Sequence, residues 1–73
     1  MKIGKYRHYK NKDYEVISLA IHSETLENFV IYKTLYACDE YPKWQIWARP
    51  QKIFEEIIEV DGKMRKRFEY VWE

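Results

Sequence analysis

The sequence has little with which to punctuate a chain: two glycines, two prolines and one cysteine in 73 residues. Cys38 alone excludes an internal disulfide framework and fits a reducing compartment, so a cytoplasmic location is expected. No apolar run approaches the roughly 20 residues that span a bilayer, which excludes a membrane helix. The basic start MKIGKYRHYKNK has no hydrophobic stretch behind it, so no signal peptide is read. There are no repeats, no linker and no low-complexity segment. At this length a second core does not form, and residues 1–73 read as one domain. What is present is apolar and aromatic: 47% of the residues are hydrophobic, 34% charged, with seven Tyr, three Trp and three Phe. That is the composition of a globular chain whose burial comes in large side chains.

The formal charge of +1 hides a segregation. Lys2, Lys5, Arg7, Lys10 and Lys12 are joined by no acid before Asp13, whereas residues 13–40 hold six acids and only Lys33. Such blocks suit antiparallel neighbours that set opposite charges together, and they also offer a basic patch near the start of the chain. Bulk charge by itself favours neither nucleic acid nor membrane.

Asp13–Ile21 (DYEVISLAI) and Asn28–Tyr36 (NFVIYKTLY) are strand-length, dense in β-branched and aromatic residues, and apolar on both faces. Strict alternation puts Tyr14, Val16, Ser18 and Ala20 on one face and Ile17, Leu19 and Ile21 on the other. His22–Glu27 (HSETLE) between them is polar and lacks a capping box, so the pair reads as a hairpin. Trp44–Arg49 alternates as a further strand and ends at Pro50. Pro50–Glu55 reads as one helical turn, followed by a strand to Val60, an Asp61-Gly62 hairpin and a last strand Arg67–Trp72. The pattern predicts a mainly β chain: a small SH3-like barrel of about five short antiparallel strands with one helical turn.

In order along the chain stand GKYRHYK (4–10), YEV (14–16), HSETLE (22–27), VIYKTLY (30–36), W-x-R-P (47–50) and F-x-E-x-x-E-V-D-G-K (54–63), then RF (67–68). This set resembles the bacterial domain of unknown function family 1653, over nearly the full chain. The resemblance implies an SH3-type barrel and no assigned activity. Departures are Asn11 where the family usually has glycine, Lys66 where it usually has proline, and a longer stretch from Tyr36 to Trp47. Asparagine, like glycine, tolerates a left-handed turn.

Three groups of residues carry chemistry. Tyr6-Arg7-His8-Tyr9 interleaves base and aromatic, the combination that stacks bases and neutralises phosphates; core tyrosine with edge cations is the plainer alternative. His22-Ser23-Glu24 contains an H-x-E, yet the P-C-x-x-C half of a zinc deaminase is missing, so no metal is expected. A triad of Ser23 with His8 or His22 and Glu24 would lack a nucleophile elbow, and a hydrogen-bonded turn accounts for the same residues. Trp47 and Arg49 share one strand face, where a guanidinium must reach an acid, a carbonyl or a ligand; Glu24 and Glu56 are the candidate acids. Cys38 lies in an acidic setting and is not read as a nucleophile.

The leading reading is a non-catalytic binding module for nucleic acid, a nucleotide or another anionic small molecule. Its candidate site residues are Arg7, His8, Tyr9, His22, Ser23, Glu24, Trp47 and Arg49. A protein-interaction or homodimerisation domain is the alternative, and a small enzyme built on the HSET loop is the third. No cofactor and no membrane partner are expected.

Overall fold

In a computed structural model that describes residues 1–72, the chain runs β1 (Gly4–His8), β2 (Asp13–Ile21), β3 (Asn28–Thr34), β4 (Ile46–Pro50), α1 (Gln51–Phe54), β5 (Ile57–Val60), β6 (Lys63–Lys66) and β7 (Phe68–Trp72). The mainly β class, the short helical turn after Pro50 and the β2–β3 hairpin all form as the residue pattern predicts. Pro50 itself remains extended (φ −53°, ψ 135°) as the last residue of edge strand β4, where a missing N–H costs no ladder bond. Asn11 takes φ 64° in the β1–β2 turn, the left-handed conformation that its place in the sequence requires. Asp61 and Gly62 have φ 52° and 77°, the paired positive values of a tight two-residue hairpin between β5 and β6.

Five strands form one antiparallel sheet in the order β4-β3-β2-β1-β7, and β5 and β6 form a separate two-stranded ribbon. The basic start meets the acidic block across this sheet, where Lys5 and Arg7 reach Asp13 at 3.3 and 2.8 Å; within the acidic block Lys33 reaches Glu15 at 3.4 Å. Arg67 hands the chain from ribbon to sheet. Its N–H donates to the Glu56 carbonyl (2.9 Å), and its own carbonyl accepts from the Tyr9 N–H (3.1 Å).

Several expectations are corrected. The sheet does not close into a barrel: among the described residues β4 and β7 are its edges, with no ladder between them. Among the described residues seven strands form rather than about five: Gly4–His8 adds β1, and Lys63–Lys66 forms β6, which Arg67 separates from β7. Alternation in β2 breaks at Ile17, where the register against β3 slips by one residue; Leu19 then pairs with Val30 and joins the face of Val16. β4 begins only at Ile46, because Trp44 adopts φ 71° and leaves the extended region.

The concave face of the sheet holds the core. Tyr6, Val16, Val30, Tyr32 and Phe68 are buried there, with Phe54 of α1 laid across them. Phe54 and Phe68 stack with ring planes 2° apart and centroids 4.1 Å apart, while Tyr6 and Tyr32 meet Phe54 at 5.4 and 5.6 Å. So few core side chains make each one costly to lose. Phe54→Ala is expected to lower the unfolding free energy by about 3–5 kcal/mol, most of the stability of a domain this small. Urea denaturation measures it, and a loss below about 1 kcal/mol would contradict this packing.

Candidate functional site

The same alternation that buries the core also lines a recess. Cross-strand register sets Tyr14 opposite Thr34, Tyr32 opposite Trp47 and Val30 opposite Arg49, so all of these share the concave face. The segment between β3 and β4 folds over one end and adds Tyr36, Cys38 and Tyr41. It is pinned by backbone bonds: the Trp44 N–H donates to the Thr34 carbonyl (2.7 Å), the Thr34 N–H to Gln45 (3.1 Å), and the Cys38 N–H to Tyr41 (3.1 Å). Tyr14, Tyr32, Thr34, Tyr36, Cys38, Tyr41, Trp47 and Arg49 together enclose about 240 Å3. Asp39 and Glu40, at the tip of the Cys38–Tyr41 turn, are exposed and do not line it.

The walls are aromatic and hydroxyl-rich. Tyr14 stacks on Tyr32 at 5.4 Å, its hydroxyl shares a 2.7 Å hydrogen bond with that of Tyr36, and Tyr41 meets Trp47 edge to face at 4.7 Å. Burial, then the Tyr36 hydroxyl, push the Tyr14 phenol well above its ordinary range. Burial also raises Tyr32, with the charge of Arg49 acting in the opposite sense. Both phenols are therefore neutral, with hydroxyls able to donate. The Trp47 Nε1–H is buried and has no hydrogen-bond partner among the described residues.

Arg49 stands apart from the other three arginines. Arg7 pairs with Asp13, Arg65 with Glu69 and Arg67 with Glu56. Among the described residues no carboxylate lies within 4 Å of Arg49, whose guanidinium sits over the Phe68 ring at 5.3 Å. Neither acid considered from sequence reaches it: Glu56 is taken by Arg67, and Glu24 accepts from the Ser23 hydroxyl.

Of the residues singled out from sequence, Trp47 and Arg49 line the recess and His8 flanks it, 6.2 Å from Tyr14 and 4.9 Å from Phe68. Tyr9 packs on His8 at 4.4 Å. Arg7 points to the opposite face of β1, held by Asp13, which keeps the Asp13 carboxyl below its usual range. His22, Ser23 and Glu24 lie in the β2–β3 turn, at the end of β2 away from Tyr14. There the His22 Nδ1 accepts from the Glu24 and Thr25 N–H groups at 3.2 and 3.3 Å, as an Asx-like cap would. The tyrosines of the recess escape a sequence reading because a strand tyrosine looks like core. A usable signal is Tyr14, Tyr32 and Thr34 on the Trp47 face, polar tips where Val or Phe would fill a core better.

The fold and site define a small, open-sheeted β domain whose aromatic recess is lined by a cation with no counter-ion among the described residues. The profile of the family described as protein of unknown function DUF1653 matches residues 4–70, and the chain belongs to that family. A crystal structure of a DUF1653 protein from Bordetella bronchiseptica is similar at 35% identity, with a TM-score of 0.85, over 97% of this chain and 87% of that one. No curated protein gives a significant match. Among the described residues no helix is long and apolar enough to cross a membrane, and no three metal-ligating side chains cluster.

His8 reports on the electrostatics of this face. Its Nδ1 accepts the Lys10 N–H at 3.2 Å, and burial, followed by the charges of Arg67, Arg49 and Lys10, lowers its pKa from 6.5. The unfolded chain then binds more protons near pH 6, so the His8 contribution is full above the unfolded value and fades as pH falls through the folded one. Proton NMR is expected to titrate His8 below 6.5, and His8→Gln to flatten the stability–pH slope below about pH 6.5. A His8 titration above 6.5 would contradict the placement.

Proposed function

We propose that this protein is a non-catalytic binding module that takes a planar anionic ligand, of which a nucleotide is the type, in the aromatic recess. The observation that carries this reading is Arg49, a half-buried guanidinium for which the described residues supply no acid. Burial without a counter-ion is costly, and a ligand's phosphate or carboxylate removes that cost. The same cation disfavours the quaternary ammonium ligands that aromatic cages otherwise attract. Tyrosine and tryptophan walls suit a stacked ring, and the hydroxyls with the Trp47 N–H suit its acceptors. A recess of about 240 Å3 matches one ring system rather than a larger ligand. Lys12, 5.0 Å over the Tyr36 ring, adds a cation at the rim.

Two finer readings belong with this one. The strand order β4-β3-β2-β1-β7, curled around a helical turn, fits an SH3-like arrangement left open between β4 and β7. An exposed, unpaired Cys38 at the recess fits a reducing, cytoplasmic setting.

Tryptophan fluorescence titrated with adenosine monophosphate at low salt tests the proposal. Saturable quenching is expected, weakened about 10- to 100-fold by Arg49→Ala, the range for losing a hydrogen bond to a charged group. Arg7→Ala, on the other face, is expected to leave it unchanged. No saturable change, or equal binding by Arg49→Ala, would overturn the assignment.

A further inference from the structure

β2 is nine residues long, and among the described residues only part of it has a neighbour on both sides. β3 pairs with it as far as Ile21, whereas β1 stops at Gly4 opposite Val16. Gly4 has φ 125°, and the Tyr6 hydroxyl donates to the Lys2 carbonyl at 2.6 Å, which draws the preceding residues off the β2 edge. Ile17–Ile21 is therefore an edge strand inside a sheet. It reads I-S-L-A-I, with no charge and no proline to block a further strand, and Ile17, Leu19 and Ile21 are 40, 46 and 66% exposed.

We propose that the open edge Ile17–Ile21 pairs with the same edge of a second copy of this chain, antiparallel about Leu19. The segment is its own complement. Two-fold pairing sets Ile17 opposite Ile21 of the second copy, Ser18 opposite Ala20, and Leu19 opposite Leu19. The open stretch is bounded by Gly4 at one end and the His22–Glu27 turn at the other, so each copy offers and requires the same five residues. At either end the pairing brings the turn of one copy to the segment before β1 of the other. The turn carries Glu24 and Glu27 and the 73% exposed Leu26; the segment carries Lys2 and the exposed Met1 and Ile3. Opposite charges and apolar side chains thus face one another at both ends. An arbitrary extended peptide would satisfy the edge but not this two-fold match. The interface falls below the area of a permanent dimer, and the association is weak, with a dissociation constant in the micromolar range.

Sedimentation velocity from low micromolar to millimolar protein tests it. A reversible monomer–dimer equilibrium is expected, abolished by Leu19→Lys, which sets like charges opposite at the two-fold axis. Leu19→Glu alone is also expected to be monomeric, and an equimolar mixture of the two variants to recover the dimer. Amide exchange on the native protein gives an independent readout, with protection within Ile17–Ile21 rising with protein concentration. A chain monomeric throughout, a dimer that survives Leu19→Lys, or protection independent of concentration would overturn the proposal. Nucleotide binding by Leu19→Lys is expected to be unchanged, so the two sites fail separately.

Discussion

The structure depends on the packing of one ring. Phe68 begins β7 directly after the Arg67 handover, is 4% exposed, and meets side chains from five other elements. Its centroid lies 4.1 Å from Phe54 of α1, 4.9 Å from His8 of β1, 5.2 Å from Tyr14 of β2 and 6.2 Å from Tyr32 of β3, and the Arg49 guanidinium of β4 covers it at 5.3 Å. Among the described residues no ladder joins the two edges of this open sheet, so side chains must hold them together. Each such aromatic pair contributes about 0.5–1.5 kcal/mol beyond its buried area. Phe68 gathers several of them at the point where the last strand enters.

That arrangement explains why the site lies where it does. The ring occupies the side of Arg49 where an acid from β7 would stand, and Glu69 and Arg65 pair elsewhere. On β1 and β2 the acid–base pairs lie on the outer face, where Lys5 and Arg7 meet Asp13. The concave face is left with aromatic rings, hydroxyls and cations. His8 registers the result: burial and the nearby Arg67, Arg49 and Lys10 charges all favour its neutral form.

Much of this architecture is legible in the sequence. The apolar runs of β2 and β3, the helical turn after Pro50, the left-handed Asn11 and the Asp61-Gly62 hairpin each rest on local chemistry that acts the same way in the fold. Closure is not legible, because period-2 alternation is the same for a barrel strand and for an edge strand. The slip at Ile17 and the break at Arg67 are set by contacts with partners distant in sequence, so no local pattern announces them. In the site, Trp47, Arg49 and His8 declare themselves by residue type. Tyr36, Cys38 and Tyr41 do not, since they come from an irregular segment whose course is fixed by the Thr34, Trp44 and Cys38 backbone bonds.

The central claim is that Arg49 and the Trp47 N–H await a ligand within an aromatic recess. Nitrogen–proton NMR of the Arg49 Nε–H and Trp47 Nε1–H, with adenosine monophosphate added stepwise, tests it most directly. The account predicts that both resonances move together and saturate at the same concentration, while the Arg7 Nε–H, bonded to Asp13, stays in place. Shifts confined to Arg7 or to the β2–β3 turn, with Arg49 and Trp47 unmoved, would contradict it.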